Sequence, residues 1–114
     1  MTKEELQYTL AVETYLLKKG VRPSALIYNM TDSNLKHLER FCEEDEEINF
    51  CFDPEDDKAV WLFKNDSVRV LVENIYRMNW DAIEMAMGFL LGYSFRECDE
   101  WLKKIRDNKN KCRY

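Results

Sequence analysis

The sequence predicts a single α+β domain of about five helices and one antiparallel β-hairpin, closing on a tight C-terminal helix pair. Three observations carry this. Apolar residues recur at helical spacing in several separate segments. Two short runs of β-forming residues, 48–52 and 59–63, flank an Asp53-Pro54 turn signal. Residues 79–107 read as two helices joined by a very short turn. A chain of 114 residues can bury one core without staples, and 46% hydrophobic content sets it apart from disordered chains.

Residues 3–19 are the first expected helix, because Leu6, Leu10, Val12, Tyr15, Leu16 and Leu17 recur with a roughly helical period. Thr2 and Glu5 form a capping box, Lys18 and Lys19 complement the C-terminal dipole, and Gly20 stops the helix. Arg22-Pro23 blocks continuation. Residues 21–30 then read as a short helix or irregular connection, with a strand over 25–28 as the alternative. Thr31, Asp32 and Ser33 offer N-caps to a helix over about 34–42 with Leu35, Leu38 and Phe41/Cys42 on one face. The acids that follow oppose its dipole and should end it.

Alternation across 48–52 places Ile48, Phe50 and Phe52 on one strand face. Residues 59–63 return as a nearly all-apolar run. Val68, Leu71, Val72, Ile75 and Tyr76 share a helical face, which favours a helix over 68–76 against a third strand built on Val68, Val70 and Val72.

The final pair carries its own start and stop signals. Asp81 with Glu84, and Ser94 with Glu97, are capping boxes. Trp80 and Met85, then Tyr93 and Cys98, stand at hydrophobic-staple positions. Gly92 is expected to take the left-handed conformation that ends the first helix. Only Tyr93 separates it from the Ser94 cap, so the second helix must turn sharply away.

Residues 39–57 are the strongest compositional anomaly: ten acids against one base, Arg40, a net −9 in a chain of −5. The remainder is therefore basic, and most of its positive charge lies in the tail. A solvated loop accounts for such a run, and so does a surface that steers a basic partner. On the second account the contacts are Glu43, Glu44, Asp45, Glu46, Glu47, Glu55, Asp56 and Asp57.

Other chemistries find little support. From Asp53, an EF-hand loop needs glycine sixth and glutamate twelfth, where Lys58 and Lys64 stand. His37, Cys42 and Cys51 fit no common zinc spacing. One histidine, three glycines and no G-x-S-x-G or H-E-x-x-H motif predict neither catalytic set nor cofactor, hence no enzyme. Cys42, Cys51, Cys98 and Cys112 include no C-x-x-C pair, and the N-terminus MTKEELQYTL carries no secretory signal. Reduced thiols, a cytoplasmic location and no membrane span are the corresponding expectations.

The segment 81–104 resembles the helix-turn-helix family. Gly88 would be the small residue of the first helix and Gly92 the turn glycine, with Met87, Leu91, Tyr93, Cys98 and Trp101 apolar around them. The resemblance covers under a third of the chain. It implies a second helix entering the DNA major groove, with Phe95 and Arg96 toward the bases and Lys103, Lys104 and Arg106 on phosphates. Against that role, the exposed face would hold Glu97, Asp99 and Glu100 to one base, Arg96, and phosphates repel such a face. Size, acidity and the Asn/Lys-rich tail are similar, in composition alone, to small accessory or inhibitor proteins of phages and mobile elements. The leading expectation is thus a non-enzymatic protein that binds, and inhibits or modulates, a partner with a basic surface, such as the groove of a nucleic-acid enzyme. A DNA-binding regulator is the alternative. Oligomeric state is open, and a dimer is compatible with either.

Overall fold

The computed structural model describes residues 1–111, excluding within the last helix the side chains of Phe95, Arg106 and residues 108–111. The elements run α1 (Lys3–Lys18), β1 (Ser24–Ile27), α2 (Asp32–Glu44), β2 (Asn49–Asp53), β3 (Asp56–Phe63), α3 (Ser67–Asn74), α4 (Trp80–Leu90) and α5 (Phe95–Lys111), with a 3-10 turn, Ile75–Arg77, after α3. This is the α+β class that the sequence predicts.

The antiparallel sheet has the order β1-β3-β2, so β3 is central. Its position explains its sequence. Val60 and Leu62 face one core and Trp61 and Phe63 the other, all four without solvent contact. A strand buried on both faces needs apolar residues at every position. On the first face, Leu6, Leu10 and Leu17 of α1 and Leu38 of α2 close over Ala25, Ile27 and Ile48. On the second, Val68 and Val72 of α3, Ile75, and Leu90 of α4 close over Cys51, Trp61 and Phe63. The sheet is thus the middle layer between two helical layers.

Several expectations need correction. Residues 21–30 hold neither a helix nor an irregular connection throughout: Ser24–Ile27 is an edge strand, paired from Ser24↔Phe63 to Ile27↔Val60. The hairpin is therefore part of a three-stranded sheet. Asn29, at φ 58°, ends β1, and the Met30 N–H donates to the Lys58 carbonyl at 2.8 Å. Ile48 and Phe50 face the α1/α2 core as expected, but Phe52 at the strand's end is 47% exposed. It meets Phe50 edge-on, with ring centroids 5.9 Å apart. Residues 67–74 are helical, which settles that alternative in favour of the helix. The cap of α4 is Asn79, whose side chain accepts from the Ala82 N–H at 2.9 Å. Asp81 lies inside the first turn, near the positive end of the dipole, and Trp80 is the first helical residue rather than a staple before the cap.

Candidate interaction surfaces

The acidic stretch does not fold into one patch. Glu43 and Glu44 finish α2, and Asp45, Glu46 and Glu47 form the turn into β2. Glu55, Asp56 and Asp57 lie beyond the other end of β2, at its junction with β3. The two groups are separated by the length of β2, about 13 Å for a five-residue strand. Glu43, Glu44, Glu46, Glu47, Glu55, Asp56 and Asp57 are exposed. Among the described residues only Asp45 of the eight forms an ion pair, with Lys18 Nζ at 2.7 Å. That contact holds the Asp45 carboxyl below the usual range and Lys18 above its own. Among the described residues the strand between the groups is an edge strand, with β3 on one side and no strand on the other.

Asp53 stands inside the same run but is a structural group. It is buried and surrounded by donors. Trp61 Nε1 donates to Oδ1 at 2.9 Å, the Tyr76 hydroxyl reaches both oxygens at 3.0 and 3.1 Å, and the Glu55 N–H donates to Oδ2 at 3.1 Å. These bonds tie the β2–β3 turn to the 3-10 turn after α3. The Tyr76 hydroxyl is pushed up to about 12 by burial and then by the Asp53 carboxylate it donates to.

The α4–α5 junction forms as its sequence predicts. Gly92 has φ 91°, the Gly92 N–H donates to the Phe89 carbonyl, and the Tyr93 N–H donates to Gly88 at 2.9 Å. This closing pattern satisfies the orphan carbonyls at the end of α4. Ser94 and Glu97 cap reciprocally: the Glu97 N–H donates to Ser94 Oγ at 3.2 Å, and the Ser94 N–H to Glu97 Oε2 at 3.3 Å. Gly88 faces Cys98 so closely that an added Cβ would collide with the Cys98 sulfur. Gly88 therefore seats the chain's own α5, whereas Gly92 lies against Arg22, whose Cβ would stand 2.8 Å from a Cβ added there.

On the exposed face of α5, Arg96 pairs with Glu100 at 3.3 Å and Lys103 with Asp99 at 3.0 Å, each within one helical turn. Lys104 is exposed. The side chains of Phe95 and Arg106, expected at a DNA interface, lie outside the described residues, as does Cys112. Between α4 and α5 lies an open groove of about 620 Å³, lined by Met87, Leu91, Tyr93 and Trp101 among others. This groove was not anticipated. Its signal in the sequence is the apolarity of residues 80–91.

The chain matches no known family model, curated protein or solved structure. Among the described residues no three His, Cys, Asp or Glu side chains gather as a metal site, and no helix is long and apolar enough to cross a membrane. Burial, then the Asp45 charge, pushes the Cys42 thiol up to about 11, and burial raises Cys51 and Cys98. Thiols shifted that way are poor nucleophiles at neutral pH.

Proposed function

We propose that this chain is a non-enzymatic binding protein whose two acidic groups engage a macromolecular partner bearing a basic surface. The observation that carries the reading is the placement of seven exposed carboxylates, none ion-paired among the described residues, at the two ends of the edge strand β2. A basic segment or groove wall laid along β2 would meet negative charge at both ends of the contact. Binding there would occlude the partner's own anionic ligand, which makes inhibition or modulation of a nucleic-acid enzyme the natural consequence. Complementary charge acts mainly on encounter and specificity.

The test reverses Glu46, Glu47, Asp56 and Asp57 to lysine, taking the net charge from −5 to +3. Capture from the source cell, resolved for both protein and nucleic acid, supplies the partner. Stopped-flow association is then compared at low and high salt. The reading expects a wild-type on-rate that falls steeply with salt and a variant that folds but associates much more slowly. A salt-independent on-rate with binding retained by the variant would reduce the acids to a solubility device.

The α4–α5 junction supports a second reading, DNA binding by α5 through Arg96, Lys103 and Lys104. Its sharp turn and reciprocal Ser94/Glu97 cap suit a recognition helix. Arg96 and Lys103 are, however, already paired to acids of the same helix. One enriched site from random duplexes, with nanomolar affinity lost in Arg96→Ala, would place this reading first.

A further inference from the structure

We propose that the outer face of α1 is the interface of a symmetric homodimer, in which the two copies of α1 cross antiparallel between Ala11 and Val12. The inner face of α1 buries Leu6, Leu10 and Leu17 in the core. Its outer face is apolar as well, yet solvated: Tyr8 is 74% exposed, Tyr15 61% and Val12 38%, and Ala11 lies exposed among them. Water accommodates apolar residues singly, whereas a row of them one helical turn apart is a contiguous patch of the kind that marks interaction sites. Tyr8, Ala11 and Tyr15 are three and then four residues apart, the spacing of the seam between paired helices. The shape of this face therefore suits another helix.

The order of residues along the seam selects α1 itself as that helix. Tyr8 and Tyr15 stand at equal distances on either side of the Ala11–Val12 midpoint, and so do the pair Glu4 and Glu5 and the pair Lys18 and Lys19. A two-fold axis at the midpoint sets tyrosine against tyrosine, places small Ala11 where the backbones cross, and brings the acids of each copy to the lysines of the other. A parallel arrangement would set acids on acids and lysines on lysines. The other charges of α1 keep off this face. Glu13 turns to Arg22, Oε2 lying 3.0 Å from Nη2. Lys3 falls on the row of Leu6, Leu10 and Leu17. No charged residue of α1 therefore stands near the axis. At the far end Asp45 draws Lys18 to its own side, toward the acidic turn. Lys19 lies about 100° further round the helix, away from that turn. Its ammonium stands 5.8 Å from the Tyr15 ring centroid, on the seam, and like Glu5 it has no ion pair among the described residues. Glu5 follows Glu4 round the helix as Lys19 follows Lys18, and a two-fold axis in the plane of the interface keeps both on one side. Glu5–Lys19 is thus the contact that fastens each end.

One helix face makes an interface at the small end of the range, so sedimentation equilibrium of the full chain runs from about 1 to about 500 µM. The expected result is a species of twice 13.8 kDa whose population rises with concentration. Val12→Glu sets acid on acid at the crossing and should return the monomer mass with an unchanged helical circular dichroism spectrum. Glu5→Lys and Lys19→Glu should each weaken association at least about tenfold when studied alone, because each variant faces its own copy with like charges. Mixed in equal amounts they should restore the dimer mass, since each then meets the opposite sign at both contacts, and so should the chain that carries both exchanges. A wild-type chain that stays monomeric over the whole range overturns the proposal. So does a dimer indifferent to Val12→Glu, or a mixture no more associated than its components.

Discussion

Asp53 shows how far a residue's role can depart from that of its neighbours. It belongs to a run of acids that water would accommodate, but it is buried and accepts from Trp61, Tyr76 and the Glu55 amide. A buried carboxylate is tolerable only with such donors. Tyr76 is the donor whose charge state can be changed. An unfolded tyrosine titrates near 10, whereas in the fold Tyr76 is raised to about 12 by burial and by Asp53. A raised folded pKa means stability that is fully present below about pH 10 and lost as pH climbs through about 12. Tyr76→Phe should therefore cost about 1 kcal/mol at neutral pH, one partly exposed hydrogen bond to a charged group. The gap from wild type should hold to about pH 10 and shrink above it. Urea unfolding of both proteins at pH 7, 9 and 11 checks this, and an undiminished gap at pH 11 would contradict it.

Gly88 governs how α4 and α5 approach each other, because an added Cβ would collide with Cys98. Helix propensity favours alanine over glycine by up to about 1 kcal/mol. Overpacking costs typically about 1–3 kcal/mol and should win. Gly88→Ala is expected to lower stability by about 1–2 kcal/mol, and in a Cys98→Ala background the penalty should shrink toward zero or reverse. A penalty of equal size in both backgrounds would show that the two residues do not meet. This junction was legible in the sequence because caps and turn glycines act over a few residues. The same holds for α1, α2 and the β2–β3 hairpin. The ion pairs Arg96–Glu100 and Asp99–Lys103 were also readable, being one turn apart. β1 was not, because three successive apolar residues, Ala25, Leu26 and Ile27, have no period. What makes them a strand is β3, more than thirty residues later. The Asn79 cap was hidden by a second good cap, Asp81, two positions on. The acids were visible as a run, but their division into two groups depends on β2 lying between them, and the burial of Asp53 depends on Trp61 and Tyr76.

The net charge of −5 and the two acidic groups act on the molecule as a whole. Seven exposed carboxylates without ion pairs among the described residues stand against one inter-element pair that joins this acid-rich region to α1, Lys18–Asp45. Added salt weakens both the repulsion among the acids and the attraction in that pair. Neighbouring acids also repel in the unfolded chain, so only the extra confinement of the fold counts, and the balance is small. The repulsive contacts are more numerous, so screening should stabilise the protein. Between about 10 and about 150 mM salt the Debye length falls from about 30 to about 8 Å, enough to uncouple charges across the acidic turn. The melting temperature at pH 7 should then rise by about 1–3 °C, a gain below about 1 kcal/mol for a chain of this size. The variant with Glu46, Glu47, Asp56 and Asp57 reversed to lysine has lost much of that repulsion, so its melting temperature should respond less. Asp45 and Lys18 set the pH range for the measurement. Asp45 is lowered by its contact with Lys18, so its contribution is present above the unfolded value near 3.9 and lost as pH falls through the folded one. Lys18 is raised, so its share is full below about 10.4 and lost as pH rises further. At pH 7 both are constant, and salt alone is varied. A wild-type melting temperature that falls with salt would mean that attraction, centred on Lys18–Asp45, outweighs the repulsion. A variant that gains as much as wild type would detach the effect from the acids altogether.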